Sequence, residues 1–410
     1  MTRSVNTGNL QYLIETDDRV RLLCSQMLGR LDGVHLVGGC VRDLLLGVTP
    51  VEIDVAVEGD AVQFAIEFAR VSGGSIEQHE RFGTATVSTK SGAFDFASTR
   101  SEAYERPGAL PSVTPATLEQ DLKRRDFTVN AIAVSLAPGS FGAVTALADS
   151  FADLESKTLR SLHPNSFDDD PTRVWRMCRY SGRLGFAIEA GTEAEARRAV
   201  DLGALSNVSL ARHGAELLRS CAEREPLGVL ETCSEFGLLG WLGVRDFDSK
   251  RLRFAEEHFS VHTDSTTLRV ASVFWASKVE RARLDELLLP RTANAAACEA
   301  AVVGDLPVRL KGAKHSDIEK LLSGRTAELA ALCAADGVLE EIEIWISRLR
   351  SFSPALTGND LVEAGVAEGP EVAIGLEAAR VFQIDEGCSA RDQLLLRALA
   401  AIDSTQGSAE

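Results

Sequence analysis

Two carboxylates, Glu52 and Asp54, sit two residues apart in the run Val51-Glu52-Ile53-Asp54-Val55. They closely follow the stretch Leu36-Val37-Gly38-Gly39-Cys40-Val41-Arg42-Asp43-Leu44-Leu45-Leu46-Gly47. Residues two apart in a strand point to one face, so both side chains can be aimed at a single polyphosphate. Gly38 and Gly39 carry no side chains, which lets backbone amides approach phosphate oxygens where a helix begins. Glycine turn, Arg-Asp pair and paired carboxylates, in that order, point to phosphate held with a metal ion. An ordinary turn followed by an edge strand is the plainer alternative.

Three further stretches could join that chemistry. Asp95 stands between Phe94 and Phe96 in an alternating strand and faces away from their rings, toward the side available to Glu52 and Asp54 or toward solvent. Arg124-Arg125-Asp126-Phe127-Thr128-Val129-Asn130-Ala131 ends a helix with a basic pair. Asp168-Asp169-Asp170-Pro171 opens a helix, where acids and proline are both favoured. That helix carries Arg173, Arg176, Arg179 and Arg183, whose spacing of three, three and four forms one basic stripe, either a solvated face or a phosphate track.

These residues resemble the class II tRNA nucleotidyltransferases, the CCA-adding enzymes, and their bacterial poly(A) polymerase relatives. The likeness runs from the glycine turn through Arg-Arg-Asp-Phe-Thr-Val-Asn-Ala to a similar close around Leu356-Thr357-Gly358-Asn359-Asp360-Leu361.

The elements that must position these groups follow from periodicity. Residues 10–31 read as an amphipathic helix with Leu10, Leu13, Ile14, Val20, Leu23, Met27 and Leu28 on its apolar side. Strands are expected at 34–37, around 51–55, and at 75–79, 84–89 and 93–98, with a helix from Asp60 to about Val71. Residues 101–117 contain three prolines and read as a mobile loop, leading into a helix over 118–124. Near residue 155 alternation gives way to helical periodicity that continues to the end, with helices at about 192–202 and 208–222. The expected fold class is α+β: an N-terminal nucleotidyltransferase head at 1–155, then a helical neck at 156–225, body at 226–350 and tail at 351–410, with a short disordered end after about Ser404.

Composition narrows the setting. No run of eighteen apolar residues occurs and the start is polar, so neither a membrane span nor a signal peptide is expected. The eight cysteines form no C-x-x-C pair, which fits neither a zinc knuckle nor a disulfide framework and agrees with a cytoplasmic setting. His258 and His262 share a helical spacing and read as structural. With 43 basic against 60 acidic residues the net charge is −17, so any RNA contact needs locally concentrated positive charge. Nothing in the sequence speaks to oligomeric state.

The chemistry these residues suit is nucleotidyl transfer, in which carboxylates hold two Mg²⁺ ions about 3.5–4 Å apart. The resemblance supplies the partners: the tRNA 3′ end, CTP and ATP, with C, C and A added without a nucleic-acid template. It implies Glu52, Asp54 and Asp95 as catalytic, the first two as metal ligands, with Arg100 the basic residue that follows Asp95. Gly38, Gly39, Arg42, Asp43, Arg125, Asp126, Asn130 and Arg176 then lie around the nucleotide, and Asp169, Asp170 and Arg173 read the base edge. Arg179, Arg183 and Arg212 are assigned to RNA.

Three positions depart from the family pattern: Glu52 stands where Asp is usual, Val48 where a basic residue is common, and Asp169 where Glu is usual. The same head motifs serve CC-adding and A-adding specialists and poly(A) polymerases, and an inactive RNA-binding relative is a further alternative. A His-Asp phosphohydrolase module has no His-Asp dipeptide to support it.

Overall fold

Apolar alternation over residues 34–57 becomes the centre of a seven-stranded sheet. A computed structural model describes residues 14–79 and 83–406. Leu10 and Leu13 therefore fall outside the described residues, as does the end of the chain beyond residue 406. Where one helix was expected over 10–31, residues 14–16 are helical, the helix breaks at Asp17, and α1 runs Asp18–Gln26; the Asp17 carboxylate caps its start by accepting from the Arg19 and Val20 amides. The chain then turns through Gly29 and Gly33, both at positive φ, into β1 (Val34–Val37).

After β1 come α2 (Gly39–Leu45), β2 (Ile53–Val57), α3 (Ala61–Ser72), β3 (Ser75–His79), β4 (Thr84–Thr89) and β5 (Gly92–Ser98). Next are β6 (Arg100–Ala103), β7 (Ser112–Pro115), α4 (Leu118–Lys123), β8 (Ile132–Ser135) and β9 (Val144–Ala146). The sheet order is β3-β4-β5-β2-β1-β8-β9. Within it β2 and β5 are parallel, with Asp54 opposite Asp95, and the other neighbouring pairs are antiparallel.

The two faces of the sheet are unequal. On one, Phe94 and Phe96 of β5 meet Phe64 and Phe68 of α3, with Phe68 edge-on to Phe94 at 4.8 Å between ring centroids. On the other, Ala56, Val37, Ala131 and Ala133 pack under Leu118 and Leu122 of α4. Asp54 and Asp95 lie on this second face by strand alternation.

The stretch expected as a mobile loop is instead an antiparallel hairpin, β6 paired with β7 from Arg100 opposite Pro115 to Ala103 opposite Ser112. Its strands carry polar residues in place of apolar alternation, and the three prolines confine themselves to the tip and the last strand residue, so no period-2 signal marked it.

Beyond β9 come α5 (Ser150–Glu155), β10 (Thr158–Leu159), α6 (Ser166–Asp169), α7 (Thr172–Leu184), β11 (Ala187–Ile188), α8 (Ala190–Asp201), α9 (Leu210–Cys221) and α10 (Pro226–Glu235). The acidic segment thus ends helix α6 at Asp169, with Asp170 between the two helices, instead of opening α7. Asp170 takes an extended conformation (φ −135°, ψ 95°) because the following Pro171 disfavours the helical one. Helix α7 packs on α10 at Gly182, where a Cβ would come within 2.5 Å of Val229.

Residues up to 216 with 223–238 form one compact unit, and 217–222 with 239–410 form another. The second unit is helical. Its last three helices, Gly358–Glu363, Pro370–Glu386 and Arg391–Gln406, close around Leu361, Ala379, Leu394, Ala398 and Ile402. No helix among the described residues is long and apolar enough to cross a membrane.

Candidate active site

Asp54 and Asp95 are register partners on adjacent parallel strands, which sets their carboxylates side by side on one face. Thr86 of β4, opposite Asp95 in the antiparallel register, donates its hydroxyl to Asp95 Oδ1 at 2.6 Å. Burial pushes the Asp54 carboxyl up to about 6; the Arg125 guanidinium works against that, while Asp95 and Glu52 add to it.

Glu52 stands just outside the strand, which begins at Ile53, and is exposed. Among the described residues no three His, Cys, Asp or Glu side chains converge closely enough to form a metal cluster. Asp54 and Asp95 are the converged pair, and Glu52 acts on Asp54 through its charge.

The glycine turn serves this pair sterically. Gly38 has φ +69°, and a Cβ there would lie 2.5 Å from Arg125 Nη1. A Cβ on Gly39 would come 3.6 Å from Asp54 Oδ2. The Gly38 amide donates to Ile132 O at 3.0 Å, so it is held by β8, contrary to the expectation that both glycine amides face phosphate. The first-turn amides of α2, from Gly39 on, have no acceptor within their own helix.

Arg125 is held by a residue the sequence reading did not single out. Asp121 of α4, 1 % exposed, accepts from Arg125 Nη2 at 3.1 Å and from Arg124 Nη2 at 2.6 Å. Burial acts to raise the Asp121 carboxyl, but the two guanidiniums outweigh it and hold it below the usual range. Its spacing of three and four from Arg124 and Arg125, at the end of α4 and just beyond it, was the available signal. Glu102 of the hairpin was also unmarked; it accepts from Arg124 Nη1 at 2.8 Å, Arg100 Nη2 at 3.1 Å and the Tyr104 hydroxyl at 2.9 Å.

Arg42, Asp43, Asn130 and Asp126 are buried and, with the half-buried Arg176, form one chain of charge-assisted hydrogen bonds. Arg42, 1 % exposed, donates Nε and Nη2 to Asp43 Oδ1 (2.9 and 2.7 Å) and Nη1 to Asn130 Oδ1 (2.6 Å). Asn130 Nδ2 donates to Asp126 Oδ1 at 2.9 Å, and Asp126 Oδ2 receives Arg176 Nε at 2.8 Å. At the other end Arg183 Nη2 donates to Asp43 Oδ2 at 2.9 Å. Burial would raise the Asp126 carboxyl, yet Arg176 and Asn130 bring it far below the ordinary range. Tyr180, also absent from the sequence reading, lies among these groups, with the guanidinium carbons of Arg42, Arg176 and Arg179 at 5.2, 5.5 and 4.8 Å from its ring centroid.

The arginines of α7 are therefore not a solvated stripe. Arg173 and Arg179 are buried, and all four pair within the fold. Arg173 donates to Ser166 Oγ and to Arg124 O, both at 2.7 Å, and Arg179 Nη1 donates to Glu223 at 3.2 Å. The i, i+3, i+4 spacing was legible; the acids that meet it come from other elements.

Asp169 lies 3.9 Å from His163 Nε2. Asp170 Oδ1 accepts from the Thr172 amide (3.0 Å), the Thr172 hydroxyl (2.6 Å) and Arg212 Nη2 (2.8 Å). Arg212 also donates to Gly108 O at 3.1 Å, and the Gly108 amide donates to Asp169 O at 3.2 Å. The hairpin tip is thereby tied to the expected base-reading acids.

Residues 34–160 match the Poly A polymerase head domain family. An A-adding tRNA nucleotidyltransferase of Geobacter sulfurreducens is 34% identical over 400 residues, covering 90% of this chain. Another A-adding tRNA nucleotidyltransferase, from Halalkalibacterium halodurans, is 30% identical over 386 residues and is matched over 90% of both chains. The chain belongs to the tRNA nucleotidyltransferase family. It spans 45% of the length of the G. sulfurreducens relative. Among solved structures, a CCA-adding enzyme in an apo form superposes with a TM-score of 0.78 at 28% identity, covering 97% of this chain and 99% of that one. The Thermotoga maritima CCA-adding enzyme complexed with tRNA has a TM-score of 0.72 at 25% identity, covering 98% and 99%. The α+β head followed by a helical remainder is the architecture these nucleotidyltransferases share with it.

Proposed function

We propose that this chain transfers nucleotidyl groups to the 3′ end of tRNA, adding the C and A residues of CCA from CTP and ATP. The observation that carries the reading is the pairing of Asp54 with Asp95 beside Arg125 and the glycine turn. Support for the acceptor comes from the family and from the likeness to a CCA-adding enzyme that was solved with tRNA.

The carboxylate pair fits divalent cations. Its donors are oxygens, and a bound cation would offset the burial that disfavours the ionised Asp54 carboxylate. Asp54 and Asp95 would hold Mg²⁺, with Glu52 reaching in from the preceding turn. When bound, Mg²⁺ supplies Lewis acidity at the phosphate and lowers the pKa of the attacking hydroxyl.

The chain's own groups do the remaining work. Arg125, anchored by Asp121, offers positive charge beside the carboxylates, and the first-turn amides of α2 offer donors to phosphate oxygens. Arg42, Asp43, Asn130 and Asp126 spend their hydrogen bonds on one another and hold the nucleotide-side wall of the site rigid. Asp170 holds Thr172 and Arg212 through Oδ1, and its second oxygen would accept from a base amine.

A narrower reading has its own support. The relatives at 34% and 30% identity are named A-adding, whereas the CCA-adding structures stand at 25–28%. One experiment tests both: incorporation of labelled CTP and ATP, alone and together, with Mg²⁺, into tRNA transcripts ending before CCA, after C and after CC. Completion of all three ends supports CCA addition, and labelling of only the CC end by ATP supports the A-adding reading. Absence of any incorporation refutes the proposed activity.

A further inference from the structure

Arg19 lies outside every motif that carries the family likeness and before the matched residues 34–160. It is nevertheless a charged side chain only 9 % exposed, and all three of its guanidinium nitrogens are used. Nε and Nη2 donate to the two oxygens of Asp17 at 3.1 and 2.7 Å, which fixes the plane of the guanidinium against the start of α1. Nη1 donates to two main-chain carbonyls at once, Pro50 O at 2.9 Å and Val51 O at 3.0 Å.

Those carbonyls belong to the turn immediately before Glu52 and β2. The stem of the same side chain packs on the neighbouring strand: a Cβ added to Gly92, the first residue of β5, would lie 2.9 Å from Arg19 Cδ. Because β2 and β5 are parallel, with Ile53 opposite Phe94 and Asp54 opposite Asp95, both strands start at the edge where Arg19 sits. One buried arginine therefore touches the beginning of each carboxylate-bearing strand.

We infer that Arg19 is a positioning residue for the metal-binding carboxylates, setting the spacing of Glu52 and Asp54 against Asp95 from behind the strand ends. The inference rests on the reading of those carboxylates as a divalent-cation site. The physical need is clear, since Mg²⁺ demands near-ideal octahedral geometry at about 2.0–2.1 Å, and small shifts of one strand against the other spoil it. Glu52 lies outside the ladder, directly after the turn that Arg19 holds.

The test uses the full chain with Arg19→Met, which keeps the stem and removes the donors, and Arg19→Lys, which restores one donor group. Mn²⁺ binding is measured by electron paramagnetic resonance without RNA or nucleotide, beside the thermal midpoint in EDTA and the Mg²⁺ and ATP dependence of transfer. Arg19→Met is expected to weaken Mn²⁺ binding and raise the Mg²⁺ half-saturation about 10-fold, with the KM for ATP at saturating Mg²⁺ moved less than about twofold, and Arg19→Lys is expected to recover part of the loss. Wild-type Mn²⁺ affinity in Arg19→Met, with only the thermal midpoint lowered, overturns the inference. If Arg19→Met does not fold, Arg19→Lys decides alone: a thermal midpoint and an Mn²⁺ affinity both equal to wild type overturn it. A wild-type chain that binds Mn²⁺ but transfers no nucleotide would sink the proposed activity and leave the positioning role to the Mn²⁺ comparison; one that binds no Mn²⁺ overturns the inference.

Discussion

Arg42 and Asn130, 88 residues apart in the chain, meet through a 2.6 Å hydrogen bond from Arg42 Nη1 to Asn130 Oδ1. Asn130 passes the connection on to Asp126 and so to Arg176, with a single amide standing between a buried guanidinium and a buried carboxylate. Asn130→Ala strips one partner from each charged group. Loss of two hydrogen bonds to buried charges is expected to cost about 2–4 kcal/mol, read from urea denaturation. A loss below about 0.5 kcal/mol would mean that the chain of contacts is not cooperative.

Asp54→Ala is expected to lower transfer at least about 1,000-fold with little loss of fold, because it removes a carboxylate proposed to hold the metal. Glu52→Asp, by contrast, retains the ligand type and should keep substantial turnover. Robust turnover by Asp54→Ala would refute the assignment.

Gly38→Ala meets two obstacles, the positive φ of +69° and a Cβ 2.5 Å from Arg125 Nη1. Arg125 must shift away from Asp54, so transfer should fall about 10-fold or more, with a stability cost of about 1 kcal/mol. The control is Gly39→Ala, whose Cβ would make only ordinary 3.6 Å contacts with Arg42 and Asp54. Equal effects at both positions would argue against the Arg125 clash.

The raised Asp54 carboxyl gives a pH dependence with a definite sign. A carboxyl whose folded pKa is about 6, above the ordinary 3.8, favours its protonated form in the metal-free fold. Its contribution to stability is full below the ordinary value and is lost as pH rises through about 6. Mg²⁺ binds the ionised form, so the thermal midpoint gain on adding Mg²⁺ should be small at pH 5 and large at pH 7.5. A gain independent of pH across that interval would contradict the Asp54 assignment.

The assignment of Arg179 to RNA implies that Arg179→Glu weakens tRNA binding selectively. The fold puts Arg179 in the interior, 3.2 Å from Glu223 and 3.9 Å from Glu216. A glutamate there would gather three acids, with Arg183, 3.9 Å from Glu223, left to face them in place of two guanidiniums. The expected outcome is a stability loss of about 3 kcal/mol or more, measured before any tRNA titration. A variant as stable as wild type would reopen the RNA-facing reading.

Much of the head was legible because its signals are local. Glycines, alternating strands and the Asp60 cap depend on residues a few positions apart, and β3, β4 and the start of α3 follow the pattern closely. Face alternation left Asp95 open between the site and solvent; the parallel pairing of β2 with β5, which brings it opposite Asp54, came only with the fold. What failed did so for lack of a local signal. The hairpin of residues 100–115 is held by Glu102, Arg124 and Arg212, which no periodicity reveals.

By itself the sequence determined which groups exist and in what spacing: the carboxylates, the glycine turn, the arginine rows and the change from strands to helices near residue 155. Tertiary structure decided what each charged group faces. Arg173 and Arg179 became interior ion-pair and hydrogen-bond donors, Asp121 became the anchor of Arg125, and Arg19 reached both carboxylate strands. The reason is desolvation: a charge taken from water must find an opposite charge or a carbonyl, and those partners lie many residues away in the chain, where only the completed fold brings them within reach.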